Sequence, residues 1–261
     1  MKKIVIPSSI MKEIINDYTV NNLSVPQLNK KYHYSNTVLY RELRENNIQI
    51  KSFEDASRKY EINKNIFKQI TEQSAYWMGF IVTDGSFQKR LNTYQLVIHL
   101  SNKDDNHLKK IREFIQPNIK ITYTKENSCR IAFASNEICK DIWKYGIGIN
   151  KTKEVNLSEC LIYNRDFWRG VVDGDGYLGY CEKGNNKHRL EIVGSYSLLS
   201  YFVEYCKTII PNFKNTVKPH KSIYVIHLGG NTAKTILKSL YENSNIYLDR
   251  KKEKYEEIIA L

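Results

Sequence analysis

The sequence lacks the features that mark secreted and membrane-spanning proteins. The chain has five cysteines, an odd number, and no CxxC pair. This pattern argues against a disulfide framework and against a structural zinc site. No apolar run approaches a membrane span, and the run in "MKKIVIPSSI" is too short for a signal peptide. We therefore expect buried thiols in a reducing cytoplasm and no membrane partner.

Acidic residues are too few to balance the basic ones. The 40 Lys and Arg against 28 Asp and Glu give a net charge of +12. Residues 1–60 hold ten basic and six acidic side chains, so +4 lies there and +8 in the rest. An excess spread in this way favours nucleic acid as a partner, although charge alone leaves an ordinary basic surface equally open. With 12% aromatic and 41% hydrophobic residues, the chain is expected to fold as one to three domains.

Three short helices are predicted near the amino terminus. Ile10, Ile14 and Ile15 mark the first, Ser24 can cap the second, and Ser35 can cap the third. This segment resembles the helix-turn-helix of resolvase-like and transposase-like proteins on the pattern Val25, Leu28, Tyr32, Ser35, Val38, Leu43.

On that interpretation the third helix faces the DNA major groove. Arg41 is expected to read bases and Arg44 to meet the backbone, while a small helical bundle that binds protein or only caps the fold remains the alternative. The expected DNA contacts of this domain are Lys30, Lys31, Asn36, Thr37, Tyr40, Arg41 and Arg44.

An internal repeat occupies the rest of the chain. "YWMGFIVTDG" and "FWRGVVDGDG" place Trp, Gly, Asp and Gly at matching positions 91 residues apart, and similarity continues downstream with small shifts. Alternating and apolar patterns predict helix, strand, strand, helix, strand, strand, helix in each copy. The predicted class is α+β, with two pseudosymmetric αββαββα halves behind an all-α domain. We expect domains at 1–50 and, after a linker at 51–65, at 66–150 and 151–261, the last ending in an amphipathic helix from Tyr247.

Glycines and aspartates in the two copies suggest paired helices. Gly79 and Gly170 inside apolar helices predict close approach of a second backbone, and Gly85 and Gly176 are expected to end the helices. Asp84 and Asp175 then become neighbours at two negative helix ends, an arrangement that a divalent cation stabilises. A lone Asp-Gly would indicate only a turn.

Both stretches resemble the LAGLIDADG signature, and residues 66–245 resemble a single-chain LAGLIDADG homing endonuclease. The resemblance implies cleavage of both strands of a long, specific DNA target by a monomer, with two or three Mg²⁺ ions, from a gene carried by an intron or another mobile element. It implies that Asp84 and Asp175 are catalytic metal ligands, helped by the carbonyls of Thr83 and Gly174. Val82 departs from the signature at its sixth position, where Asp173 keeps the acid.

The same resemblance implies further site residues. Asn102 in the first half and Ser195, or Tyr196, in the second are expected to order water, and no lysine matches the later basic position. The same scaffold also supports two alternatives, a regulator that binds DNA without cutting it and an RNA maturase. The expected base contacts lie on saddle-shaped sheets, at Gln88, Lys89, Arg90, Asn92, Tyr94, Gln95, Lys183, Asn185, Lys187 and Arg189.

Overall fold

The chain divides into two compact units, Met1–Glu61 and Ile62–Leu261. The computed structural model describes residues 4–51, 62–90, 93–149, 154–180 and 188–260. Within the described residues, no helix is long and apolar enough to cross a membrane.

The first unit contains three helices, α1 (Ser8–Thr19), α2 (Val25–Tyr32) and α3 (Asn36–Glu45). The predicted caps are confirmed, because the Ser24 amide donates to Gln27 Oε1 at 2.7 Å and the Ser35 hydroxyl accepts the Val38 amide at 3.4 Å. These bonds satisfy amides that the first helical turn leaves unpaired. One apolar face of each helix meets in a small core, formed by Ile14, Tyr18, Val25, Leu28, Leu39 and Leu43.

The second unit follows the predicted αββαββα order twice, and this prediction is confirmed. The first copy contains α4 (Glu72–Asp84), β1 (Gly85–Arg90), β2 (Thr93–Ser101), α5 (Asp105–Ile115), β3 (Ile121–Tyr123), β4 (Ser128–Ala134) and α6 (Asn136–Lys144). The second contains α8 (Arg165–Asp175), β5 (Gly176–Tyr180), β6 (His188–Gly194), α9 (Tyr196–Ile209), β7 (Lys218–His220), β8 (Ile223–Gly229) and α10 (Gly230–Tyr241). A 3-10 turn (Asn102–Asp104) lies within the first copy, while α7 (Glu159–Ile162) lies between the copies and α11 (Asp249–Ala260) after them.

Each copy forms one antiparallel four-stranded sheet. The strand orders are β1-β2-β4-β3 and β5-β6-β8-β7, so the two sheets have the same topology. Side chains alternate between a covered face and an open face. Leu96, Ile98 and Leu100 are buried on the first sheet, and Leu190 and Ile192 on the second. One face of each sheet is therefore packed against helices, while the other remains available to a partner.

The two copies meet through helices α4 and α8. A Cβ atom built on Gly79 would lie 1.9 Å from the Phe167 carbonyl oxygen, and one on Gly170 would lie 2.0 Å from that of Tyr76. Only glycine permits this backbone approach, and the prediction for both residues is confirmed. Trp77 and Trp168 are fully buried beside the contact. The close packing brings the carboxyl ends of the two helices together.

Candidate nuclease site

The paired helices end at the two aspartates that occupy matching positions of the repeat. Asp84 is the last residue of α4 and Asp175 the last residue of α8, and each helix continues directly into the first strand of its own sheet. A Cβ on Gly174 would lie 2.5 Å from Asp84 Oδ2 and 1.9 Å from Thr83 Oγ1. The Asp84 carboxylate therefore lies against the last turn of the opposite helix, next to Asp175.

Gly85 and Gly176 follow the aspartates and end the helices, as predicted, but for a different physical reason. Both adopt extended backbone conformations, with φ of −82° and −80°, and not the left-handed conformation usual for a terminal glycine. A Cβ on Gly85 would lie 2.7 Å from the Ile81 carbonyl oxygen, and one on Gly176 would lie 2.5 Å from that of Val172. Lack of space for a side chain, and not backbone conformation, favours glycine here.

The Thr83 hydroxyl contacts the half-buried Asp84 carboxylate. The Thr83 hydroxyl lies 3.0 Å from Asp84 Oδ2 and 2.8 Å from the Phe80 carbonyl oxygen. Asp175 is exposed at the neighbouring helix end. Among the residues that the structure describes, no group of three or more His, Cys, Asp and Glu side chains could hold a metal ion. A cation here would need the two carboxylates, backbone carbonyls and water.

Asp173 is buried and bonded in the helix interior, away from the paired carboxylates. It accepts hydrogen bonds from the Tyr76 hydroxyl at 2.7 Å, the Tyr241 hydroxyl at 2.5 Å and the Leu248 amide at 2.8 Å. Burial raises the pKa of this carboxyl, and these donors oppose the rise. These contacts give Asp173, at the sixth signature position, a packing role, and Val82 lies buried at the corresponding position of the first half.

A buried histidine extends this network. The Tyr76 hydroxyl lies 2.9 Å from His107 Nε2, and because its proton is donated to Asp173, Nε2 must supply the proton of that second bond. His107 Nδ1 is buried without a partner. Burial lowers the pKa of His107 to about 3, and the charges of Lys110, Arg250 and Lys251 act in the same direction. The ring is therefore neutral and structural at neutral pH.

Asn102 and Ser195 lie after β2 and β6, as expected, but in different settings. Asn102 starts the 3-10 turn, and its Oδ1 is buried without a hydrogen-bond partner. Ser195 caps α9 by accepting the Leu198 amide at 3.3 Å, and its hydroxyl lies 3.2 Å from Ser197 Oγ. These contacts favour a structural role for Ser195, whereas Asn102 keeps an unused acceptor. Tyr196, the alternative in the second half, is exposed at the start of α9.

The first sheet separates its predicted DNA contacts between two faces. Gln88 lies opposite Gln95 on the open face, and Arg90 is exposed on the same side. Lys89 lies opposite Tyr94 on the covered face, where the Tyr94 ring packs edge-on against Trp143 at 4.6 Å. The expectation that Tyr94 contacts bases is therefore corrected, because alternation along β2 turns its side chain toward α6. Lys89 is exposed but belongs to that side of the strand.

Two open-face residues were missed by the sequence interpretation. Gly85, which follows Asp84, pairs with Ile98, and Ile98 pairs with Ile131. His99 and Arg130 are opposite each other in the adjacent row and are exposed. A basic pair thus lies one row from the start of β1. The signal that could have found it was strand pairing, which a single sequence does not contain.

The second sheet carries an ionic cluster on its open face. Arg189 Nη2 contacts the Glu191 carboxylate and lies 3.0 Å from His227 Nδ1, which is 3.0 Å from Glu191 Oε2. Arg189 is thus placed on the predicted face but shares it with an unforeseen acid. Four other predicted contacts lie outside the described residues: Asn92, Lys183, Asn185 and Lys187.

The predicted contacts of the first unit are divided between free and bonded side chains. Asn36, Thr37 and Arg44 are exposed along α3, Tyr40 is half-buried on it, and Lys30 is exposed on α2. The remaining two differ, because Lys31 pairs with buried Asp17 at 2.6 Å and the Arg41 guanidinium contacts Glu42 and the Ile4 carbonyl.

These bonds alter the roles of both basic residues. The hydrogen bond from Lys31, followed by those from Asn21 and Tyr32, lowers the pKa of Asp17 to about 2. Lys31 therefore stabilises the helix packing, although its side chain is 54% exposed. The expected assignment of Arg41 to bases and Arg44 to the backbone stays a prediction, although the Arg41 guanidinium is engaged within the unit and Arg44 is the exposed member of the pair.

Comparison with known proteins identifies the fold of the repeated part. No family model matches the chain, and no curated protein matches it. The LAGLIDADG meganuclease I-AabMI, solved bound to uncleaved DNA, is similar with a TM-score of 0.53 and 12% identity, over 73% of this chain and 91% of that one. The LAGLIDADG homing endonuclease I-GzeII, in complex with its DNA target, gives 0.53 and 13%, over 74% and 90%. At these identities the likeness is one of fold, and it confirms the predicted LAGLIDADG architecture.

Proposed function

We propose that this protein is a site-specific endonuclease of double-stranded DNA that cuts one strand at Asp84 and the other at Asp175. The observation that carries the proposal is the meeting of α4 and α8, which holds two carboxylates side by side between two open sheet faces. The DNA that both structural neighbours bind supports this choice of substrate. Since one chain supplies both halves, we propose that it acts as a monomer.

Mg²⁺ fits the oxygen donors at the helix ends. Mg²⁺ is usually bound by one or two carboxylates and keeps several waters, and the described residues offer two carboxylates and no larger cluster. Asp84, Asp175 and the carbonyls of Thr83 and Gly174 would hold it. Bound there, Mg²⁺ would activate water and stabilise the leaving oxygen of the cleaved phosphodiester.

The remaining chemistry belongs to the side chains of the protein. The packed helices fix the two carboxylates, so little reorganisation is needed when DNA arrives. Arg130 and His99 lie one row from the start of β1, where a cation can neutralise the phosphate of the first strand. Asn102 has a buried oxygen that can accept a hydrogen bond from a water molecule.

The open sheet faces are proposed to hold the duplex. Gln88 and Gln95 can pair with adenine edges, and Arg90 and Arg189 can donate to guanine. The net charge of +12 supplies the general attraction to phosphate. We propose that the first unit adds a helix-turn-helix contact with flanking DNA through α3, where Asn36, Thr37, Tyr40 and Arg44 share one side of the helix.

Selection from a randomised duplex library tests the function. The full chain is incubated with the library and Mg²⁺, and cleaved molecules are recovered and sequenced. We expect one enriched target cut on both strands, and no product with EDTA or with the combined Asp84→Asn and Asp175→Asn variant. Enrichment of a bound sequence without cutting would refute the nuclease proposal and indicate a DNA-binding regulator.

A further inference from the structure

A buried lysine lies beneath the end of α8. Lys251, in α11, is 5% exposed, and its Nζ donates to the Val172 carbonyl at 2.6 Å and to the Gly176 carbonyl. The Val172 carbonyl also accepts the Gly176 amide that closes the helix. One ammonium therefore joins both ends of the turn that contains Asp175.

The surroundings retain the positive charge of this lysine. Burial lowers its pKa to about 8, while the charges of Asp173, Asp84 and Asp175 oppose that effect. The carbonyl bonds replace part of the lost hydration. A cation at a helix carboxyl terminus also interacts favourably with the negative end of the helix dipole. The ammonium is thus held at the end of α8 by the two carbonyls, and the charges of both candidate carboxylates act on it.

The first half does not share this arrangement. The corresponding turn is closed by the Gly85 amide, which donates to the Ile81 carbonyl, and no lysine bond to either end of this turn occurs among the hydrogen bonds of the described residues. Neighbouring Arg250 instead binds both oxygens of Asp104, at 2.9 and 3.1 Å, after β2. Helix α11 lies outside both repeats and therefore makes the two halves unequal.

The open faces of the two sheets also differ in where their basic side chains lie. In the first half, His99 and Arg130 occupy the row next to the start of β1. In the second, Gly176 pairs with Ile192, and the corresponding row contains Val193 and Val225 on the central strands and Lys218 on the edge strand β7. Within the described strands, the only basic side chain of the row beside Asp175 is therefore Lys218, which lies on the exposed edge strand β7 and not on the two central strands.

We propose that Lys251 is a positioning residue that holds the Asp175 turn and thereby sets the rate at which one DNA strand is cut. The inference rests on the proposed nuclease function. Without the ammonium, the Gly176 carbonyl loses a donor and the last turn of α8 is less constrained. A displacement of about 1 Å in a catalytic group can slow a reaction by about 100-fold. Because both hydrogen bonds of the Lys251 ammonium go to the end of α8, the loss should fall mainly on the strand that Asp175 serves.

The test uses Lys251→Met and Lys251→Gln in the full chain, with Lys252→Met as the matched control. Lys252 lies on the same helix and also donates to a backbone carbonyl, that of Tyr241 at 3.1 Å. The substrate is a supercoiled plasmid carrying the selected target, and primer extension identifies the cut strand. Asp175→Asn shows which strand belongs to the second half.

Lys251→Met should accumulate nicked circles, with the Asp175 strand slowed about 100-fold and the other strand cut at nearly the wild-type rate. Lys251→Gln, which keeps a donor, should be affected less, and Lys252→Met should linearise the plasmid as the wild type does. Hydrogen exchange at the Gly176 amide should accelerate in Lys251→Met and remain unchanged in Lys252→Met.

Equal slowing of both strands, or no slowing, would overturn the inference while leaving the nuclease function intact. If the wild type cuts no DNA, the proposed function fails. Unchanged hydrogen exchange at the Gly176 amide in Lys251→Met would separately refute the positioning role. If the methionine variant does not fold, strand-selective slowing in Lys251→Gln decides the question, with symmetric slowing counting against it.

Discussion

Replacing Gly79 by alanine should separate the two central helices and weaken the second unit. The added methyl carbon would lie 1.9 Å from the Phe167 carbonyl oxygen, about 1.4 Å short of an ordinary contact. Backbone atoms of α8 form the obstacle, so no side-chain rotation relieves it. Overpacking of a core costs about 1–3 kcal/mol, and the upper end applies here. The better helix propensity of alanine returns about 0.5–1 kcal/mol, which leaves a net loss of about 2 kcal/mol.

Urea denaturation followed by tryptophan fluorescence measures this loss. All three tryptophans lie in the unit Ile62–Leu261, so the signal reports that unit alone. Gly148→Ala is the control, because among the described residues, its chain neighbours aside, no atom lies within 4 Å of the added methyl group. The helix shift should also slow cleavage by about 100-fold. Surface substitutions usually change the free energy of unfolding by less than about 0.5 kcal/mol. A change that small in Gly79→Ala would refute the close approach of the two helices.

Three further predictions follow from the charged groups. The pKa of His107 is about 3 in the folded protein, whereas its ordinary value is 6.5. The contribution of the neutral ring to stability is therefore complete above pH 6.5 and is lost as the pH falls toward 3. Urea denaturation midpoints should accordingly fall less steeply with decreasing pH in His107→Gln than in the wild type. Glu191→Gln should raise affinity for random duplex about two- to fivefold at low salt, as measured by fluorescence anisotropy, since it removes a partly exposed negative charge; unchanged affinity would exclude this face. Arg44→Ala should weaken DNA binding by about 1–3 kcal/mol and relax the preference at one base pair, whereas Arg41→Ala should lower the melting temperature of the first unit. The opposite pattern in binding and melting assays would favour Arg41 as the residue that reads bases.

The repeated architecture could be predicted because each element carries a local signal. The offset of 91 residues between the Trp and Gly positions indicated duplication, and alternation in the strands indicated sheets with one covered face. The glycines predicted the helix contact, since a glycine inside a buried helix requires a reason. These inferences need only neighbouring residues or an internal comparison.

The finer placement of side chains depended on pairing that the sequence does not contain. Tyr94 lies on the covered face because of its parity in β2, and His99 meets Arg130 only through strand register. Arg41 contacts a carbonyl 37 positions earlier in the chain. Lys251 was not recognised because it lies on the final helix, 75 residues beyond the carbonyl that it binds. Long-range contacts of this kind appear only once the chain is folded.

The most direct measurement of the central claim is strand-resolved cleavage by the single variants Asp84→Asn and Asp175→Asn. Each strand of the selected duplex carries its own end label, and binding is measured in parallel with Ca²⁺ in place of Mg²⁺. The account predicts that each variant binds as the wild type does and cuts only one strand, and that the two variants spare opposite strands. Double-strand cutting at the wild-type rate by either variant would contradict the assignment of these carboxylates.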